Sequence, residues 1–130
     1  MAGLPEVFRD WFAEKGWSPH PHQLDMLRAA TAGKHTLLIA PTGGGKTLSG
    51  FLPSLIGLAD APYDGLHTLY ISPLKALAVD IHRNLTLPIE EMGLPVTVET
   101  RTGKEAAPAR QPAQYPPDHT GKPCPAAFLR

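Results

Sequence analysis

His35-Thr36-Leu37-Leu38-Ile39-Ala40-Pro41-Thr42-Gly43-Gly44-Gly45-Lys46-Thr47 is the stretch on which the fold turns. Its first five residues make a mostly apolar run of the kind found in parallel strands buried on both faces. A glycine-rich turn follows, then a segment whose Leu48, Phe51, Leu52, Leu55 and Ile56 fall on one helical face. Three consecutive glycines leave no Cβ to keep the backbone away from an anion. The amides from Gly43 to Thr47 can therefore converge on a polyphosphate at the helix start. Thr42 lies within the loop, Lys46 is placed to reach the β- and γ-phosphates, and the Thr47 hydroxyl suits a Mg²⁺ that bridges them. Ala40 stands where the strict Gly-x-x-x-x-Gly-Lys-[Ser/Thr] pattern has glycine, and a small residue still permits the turn. The plain alternative, a glycine-rich turn before a helix-start Lys-Thr, is disfavoured by the strand on one side and the helix on the other.

The rest of the chain fits around that loop. Pro5 suits the first turn of a helix whose Val7, Phe8, Trp11 and Phe12 form one apolar stripe and which Gly16 ends. A second helix is predicted from Pro21 to Gly33, with Leu24, Met26 and Leu27 turned inward. The helix after the loop contains Pro53, which removes a backbone donor and should bend it. Beyond the turn Ala61-Pro62-Tyr63-Asp64-Gly65, the residues His67-Thr68-Leu69-Tyr70-Ile71-Ser72 read as the next strand, closed by Pro73. Leu74, Leu77, Ala78, Ile81 and Leu85 repeat at helical spacing up to Pro88, and a short turn at Glu90-Glu91-Met92 leads to Gly93. Val96 and Val98 alternate with Thr97 and Glu99 as a third strand. This alternation predicts an α/β fold, a parallel sheet in right-handed β-α-β units with helices on its faces. From Lys104 to Arg130, by contrast, there are six prolines and no apolar periodicity, so residues 104–130 are expected to be a disordered tail behind a folded region of residues 1–103.

Composition sets bounds but does not choose a partner. With 130 residues and 42% apolar content, the chain can hold one small core. Twelve basic and twelve acidic residues give a formal net charge of zero, so bulk charge does not argue for nucleic acid. A single cysteine, Cys124, excludes an intramolecular disulfide framework and a cysteine-based zinc cluster. The first residues have no basic region leading into an apolar stretch, and no apolar run approaches membrane-spanning length. A cytoplasmic protein without membrane contact is expected.

Gly16-Trp17-Ser18-Pro19-His20-Pro21-His22-Gln23, the phosphate loop, and Ser72-Pro73-Leu74-Lys75-Ala76-Leu77-Ala78-Val79-Asp80 stand in one order. That order resembles the superfamily 2 helicases, in particular the Lhr-type group and its bacterial ligase-associated DEXH-box DNA helicases, over residues 4–103. The resemblance implies a partial RecA-like P-loop NTPase domain and ATP with Mg²⁺ as cofactors. It also implies single-stranded DNA, or RNA, as a partner, with DNA-repair proteins beside it. Gln23 matches the glutamine that reads the adenine edge, a task suited to an amide offering a donor and an acceptor together. Trp17 and His20 are candidates to stack on the base, Trp17 being equally placed to pack on the first helix. Residues 72–80 match motif Ia, which contacts the phosphate backbone of a single strand, so Pro73, Lys75 and Ala76 are implied contacts at a helix N-terminus. Arg101-Thr102-Gly103 resembles the segment after the third strand, and Arg101 is implied in the same way.

The resemblance stops where hydrolysis would begin. The family continues into a Thr-Pro-Glu-type motif, an Asp-Glu-x-His box that holds Mg²⁺ and orients water, and a second RecA-like domain with an arginine finger. Glu90-Glu91 is read as a solvated helix end, and Asp118-His119 has no buried strand to hold it. Pro116-Pro117-Asp118 stands at about the family's distance from Arg101-Thr102-Gly103, where the family goes on into an apolar strand. Permitted codons for His119-Thr120-Gly121 can be reread in another frame as Ile-Leu-Val, and the expectation is of a frameshifted or truncated gene product. The expected function is the ATP-binding, single-strand-contacting N-terminal portion of a repair-type DNA helicase, inactive alone and with no catalytic residue assigned. A free-standing ATP-binding regulatory module and a small P-loop phosphotransferase stay open as alternatives.

Overall fold

The computed structural model describes residues 3–62, 65–101 and 126–129. The chain divides into two compact units, one of residues 1–62 with 87–96 and one of residues 63–86 with 97–130. The boundary expected between residues 103 and 104, and the reading-frame change expected near residue 118, lie outside the described residues.

In the first unit, α1 (Glu6–Glu14) follows Pro5 at φ −57° and buries Phe8, Trp11 and Phe12. Val7, expected on the same stripe, is exposed, and Leu4 is buried instead. Leu4 precedes the helix and joins Phe8, Trp11 and Phe12 in the buried set, while Val7 at the helix start stays in solvent. Trp11 packs edge-on against both Phe12 and Trp17. Its Nε1–H donates to Glu91 Oε2 at 2.7 Å, and Lys15 forms an ion pair with the same carboxylate. These partners, Lys15 first and Trp11 next, hold the Glu91 carboxyl below the usual carboxylate range.

A group depressed in this way stabilises the fold above its ordinary pKa, and that contribution is lost as pH falls through the folded value. Acid titration of indole emission in a Trp17→Phe chain, where Trp11 alone reports, should therefore show a step that Glu91→Gln removes. The same step in both chains would disprove the assignment to Glu91.

α2 (Pro21–Thr31) starts on its proline as expected and ends through Gly33 at φ +67°, with Gly33 N–H bonded to Ala30 O and Lys34 N–H to Ala29 O, each at 2.9 Å. Leu24, Met26 and Leu27 are only half-buried, and the fully buried side chain of this helix is Gln23. α2 packs on α3 (Lys46–Asp60), whose Phe51, Leu52, Leu55 and Leu58 are buried; Leu48 and Ile56, expected on that face, are half-buried. Pro53 lies inside α3 as predicted.

The strand expected at residues 35–39 does not form. Residues 34–41 carry no regular element, and Leu37 and Ile39 are 83% and 86% exposed. An apolar run becomes a central strand only when neighbours supply ladder bonds on both edges, and this run has none.

In the second unit the sheet has three strands in the order β1-β3-β2, from β1 (Thr68–Ile71), β2 (Val98–Arg101) and β3 (Ala126–Leu129). β3 runs antiparallel to both neighbours: Thr68 and Val98 lie opposite Leu129, and Ile71 and Arg101 lie opposite Ala126. The expected parallel sheet is corrected accordingly. β1 and β2 run in the same direction but are separated by a strand from the stretch expected to be disordered. Ala126-Ala127-Phe128-Leu129 is a proline-free apolar run, and β1 and β2 offer it a ladder edge on each side. Leu129 is fully buried, and His67 N–H extends the ladder to Leu129 O at 3.0 Å.

α4 (Lys75–Glu91) corrects another boundary, because it runs through Pro88 and ends only before Gly93. An internal proline costs about 3 kcal/mol. Burial of Leu85 and Ile89 on either side, about 1.5–3 kcal/mol each, offsets that cost.

Candidate functional site

The first unit assembles the predicted phosphate loop. Gly43 has φ +81° and Gly45 φ +66°, left-handed values that glycine adopts without strain, and Gly45 caps α3. Gly44 N–H donates to Pro41 O at 3.2 Å, closing the turn. That bond occupies the Gly44 N–H, one of the amides expected to face an anion. Gly45 O accepts the Ser49 N–H and the Ser49 hydroxyl, both at 3.0 Å, which points the peptide into the helix and turns the Lys46 amide outward. Lys46 and Thr47 are therefore the first two residues of α3, where the helix dipole favours an anion. Thr42 is exposed in the turn and Thr47 is half-buried.

Lys46 Nζ donates to Ala40 O at 2.8 Å and to Pro41 O at 2.9 Å. The cation thus rests on loop carbonyls from which it can swing to a phosphate. A hydroxyl that could ligate Mg²⁺, an exposed ammonium and amides at a helix start form a donor set that fits a nucleoside polyphosphate with its metal.

Gln23 is brought to this loop, although its setting differs from a helix-start glutamine in solvent. It is 2% exposed, its Oε1 accepts His20 N–H at 2.8 Å, and its Nε2 donates to Gly45 O at 3.4 Å. These two bonds use one acceptor and one donor position of the amide. Trp17 is 57% exposed and makes an edge-to-face contact with Trp11. His20 lies parallel to His22, with ring centroids 5.2 Å apart. His22 is the functional neighbour that sequence reasoning missed, because its Nε2 lies 2.6 Å from Gly44 O. Its position one residue before Gln23 gave no signal of that contact.

In the second unit, Ser72 is fully buried and turns β1 into α4: its Oγ accepts Leu74 N–H at 3.3 Å and donates to Leu74 O at 3.2 Å. Leu74 O in turn accepts from Leu77 and Ala78, which makes Leu74 the cap and leaves Pro73, Lys75 and Ala76 exposed around the first turn. Arg101 ends β2 opposite the same Ala126 that faces Ile71, so the register brings it to the same end of the sheet as the Ser72-Pro73 turn. Two strand spacings, roughly 9–10 Å, separate the two strand ends. Arg101 also forms an ion pair with Glu99 at 3.4 Å, which occupies part of its five-donor guanidinium. Among the described residues no helix is long and apolar enough to cross a membrane, and no cluster of three or more histidine, cysteine, aspartate or glutamate residues could hold a metal.

The comparisons with known proteins bear on both units. Residues 20–118 match the DEAD/DEAH box helicase family. The Lhr helicase/probable uracil glycosylase of Mycolicibacterium smegmatis is 46% identical over 73% of this chain and 7% of its own length. The Lhr helicase/uracil glycosylase of Escherichia coli is 35% identical over 88% of this chain and 9% of its own. The ATP-dependent helicase Lhr-Core of Sulfolobus acidocaldarius is 36% identical over 88% of this chain and 14% of its own. The chain thus spans about a tenth of the length of these relatives, and no solved structure matches it significantly. With the phosphate loop, the upstream glutamine and the motif after β1 all inside the matched span, the chain belongs to the DEAD/DEAH box helicases and corresponds to an N-terminal region of the Lhr type.

Proposed function

We propose that this chain is the ATP-binding and single-strand-contacting portion of a repair-type DNA helicase, working in the cytoplasm and unable to hydrolyse ATP by itself. The observation that carries this reading is the loop from Pro41 to Thr47, with outward amides at the start of α3 and Lys46 resting on carbonyls within reach of them. In this role the amides of Gly43, Gly45, Lys46 and Thr47 hold the polyphosphate, and Lys46 exchanges its carbonyl partners for phosphate oxygens. The Thr47 hydroxyl supplies one ligand to Mg²⁺. When bound, that metal neutralises charge on the phosphates. Gln23 offers its remaining donor and acceptor to adenine, and Trp17 and His20 flank the base.

The strand-contacting half of the proposal rests on the second unit. Pro73, Lys75 and Ala76 surround the N-terminus of a 17-residue helix, and Arg101 reaches the same sheet end. Amides, an ammonium and a guanidinium there suit a phosphate backbone and carry no base code, as expected of a motor that moves along any sequence. Lys75→Ala should lower the slope of log affinity against log salt by about 0.7 for a single strand, because one phosphate fewer is neutralised, with no change in nucleotide affinity. A salt titration with a fluorescent oligodeoxynucleotide measures this, and an unchanged slope would make Lys75 an ordinary solvated lysine.

A further inference from the structure

Two successive peptides of the phosphate loop are tied to the start of α2. His22 Nε2 lies 2.6 Å from Gly44 O, and because a carbonyl only accepts, that nitrogen carries the hydrogen. The next peptide is held by Gln23 Nε2 on Gly45 O, with Ser49 on the same oxygen. The His22 ring is itself set by His20, whose ring lies nearly parallel to it at 9°, and His20 N–H is bonded to Gln23 Oε1.

The Gly44–Gly45 peptide needs such a tie more than most. Rotating a peptide plane changes ψ of the residue before it and φ of the residue after it, and here both residues are glycine, so no side chain resists the rotation. In a trans peptide the C=O and N–H point in opposite directions. Holding Gly44 O against α2 therefore aims the Gly45 amide into the loop, whereas a rotated peptide would aim a carbonyl oxygen at the anion. A Cβ on Gly44 would crowd Pro41 O at 3.1 Å and would touch His22 Cε1 in ordinary contact at 3.9 Å.

We propose that His22 is a positioning residue for the phosphate loop, its Nε2–H fixing the Gly45 amide in the orientation that receives a polyphosphate. The inference rests on the phosphate-loop reading and adds to it a residue outside the loop's own sequence pattern. It separates the contribution of His22, which acts on the phosphates, from that of Gln23, which faces both the loop and the base.

The test uses the 130-residue chain with inorganic tripolyphosphate and a fluorescent ATP analogue as probes, beside thermal melts. His22→Phe keeps an aromatic ring against His20 without a donor, and His22→Gln returns an amide N–H at similar reach. Removal of one net hydrogen bond predicts that His22→Phe weakens both probes by about threefold to tenfold, with His22→Gln recovering most of the difference and both melting near wild type. His22→Leu is read in the same way if His22→Phe does not fold. Equal weakening in His22→Phe and His22→Gln would overturn the proposal, since shape and not the donor would then matter. If tripolyphosphate binds His22→Phe as tightly as wild type but fails to bind Lys46→Ala, the inference fails while the loop reading stands. If wild type binds neither probe, the loop reading falls and the inference falls with it.

Discussion

The Lys46→Ala chain is expected to lose most of its affinity for a fluorescent ATP analogue while melting at the wild-type temperature. Both halves follow from where the side chain rests. Lys46 is exposed, and its two partners, Ala40 O and Pro41 O, can take water in its place, so its removal leaves no buried group unpaired. With a triphosphate present the same ammonium makes charge-assisted bonds worth about 1.5–3 kcal/mol each, less the two carbonyl bonds given up to reach them. A net loss on the order of 10- to 100-fold in affinity is expected from that difference. Equal binding by wild type and Lys46→Ala would refute the phosphate-loop assignment.

The second large effect is an absence of turnover. The 130-residue chain, with saturating single-stranded DNA, should release phosphate no faster than its Lys46→Ala variant, which serves to subtract contaminating ATPase. No Asp-Glu-x-His box occurs in the sequence. A positioned base typically contributes about 10²–10⁴-fold and an arginine finger about 10³–10⁵-fold. These contributions need not multiply, because groups that act as a unit are not additive, but the larger one alone leaves turnover near background. DNA-stimulated turnover on the order of one per second that vanished with Lys46 would require a hydrolytic carboxylate within this chain.

What could be seen in the sequence was whatever the local chain decides. The loop from Ala40 to Thr47 was legible because glycine φ values and the Lys-Thr at a helix start depend on neighbours a few residues away, and Gly43 and Gly45 do sit at positive φ. The end of α2 at Gly33 was legible for the same reason. Ladder partners were not. Residues 35–39 have the composition of a central strand, yet a strand exists only where another backbone completes its bonds. Ala126-Ala127-Phe128-Leu129 has little local strand signal after a proline-rich stretch but finds two partners. Pro88 misled because its local cost is outweighed by burial on either side of it, which composition does not reveal. The site divides along the same line: the loop residues were named from spacing, whereas the bond from His22 and the burial of Gln23 arise from α2 folding against the loop.

The central place of β3 also orders events in time. α2 and α3 are near neighbours along the chain and can dock early, whereas the ladder joining Thr68 and Val98 to Leu129 waits for a distant segment to arrive. Closing a long loop costs entropy that grows only slowly with length, so the delay lies in the search and not in the final stability. During that interval β1 and β2 each present an unpaired edge, the form of surface through which growing chains adhere to one another. Dilution, or a chaperone that shields strand edges, is therefore expected to favour the arrival of β3 over that of a second chain.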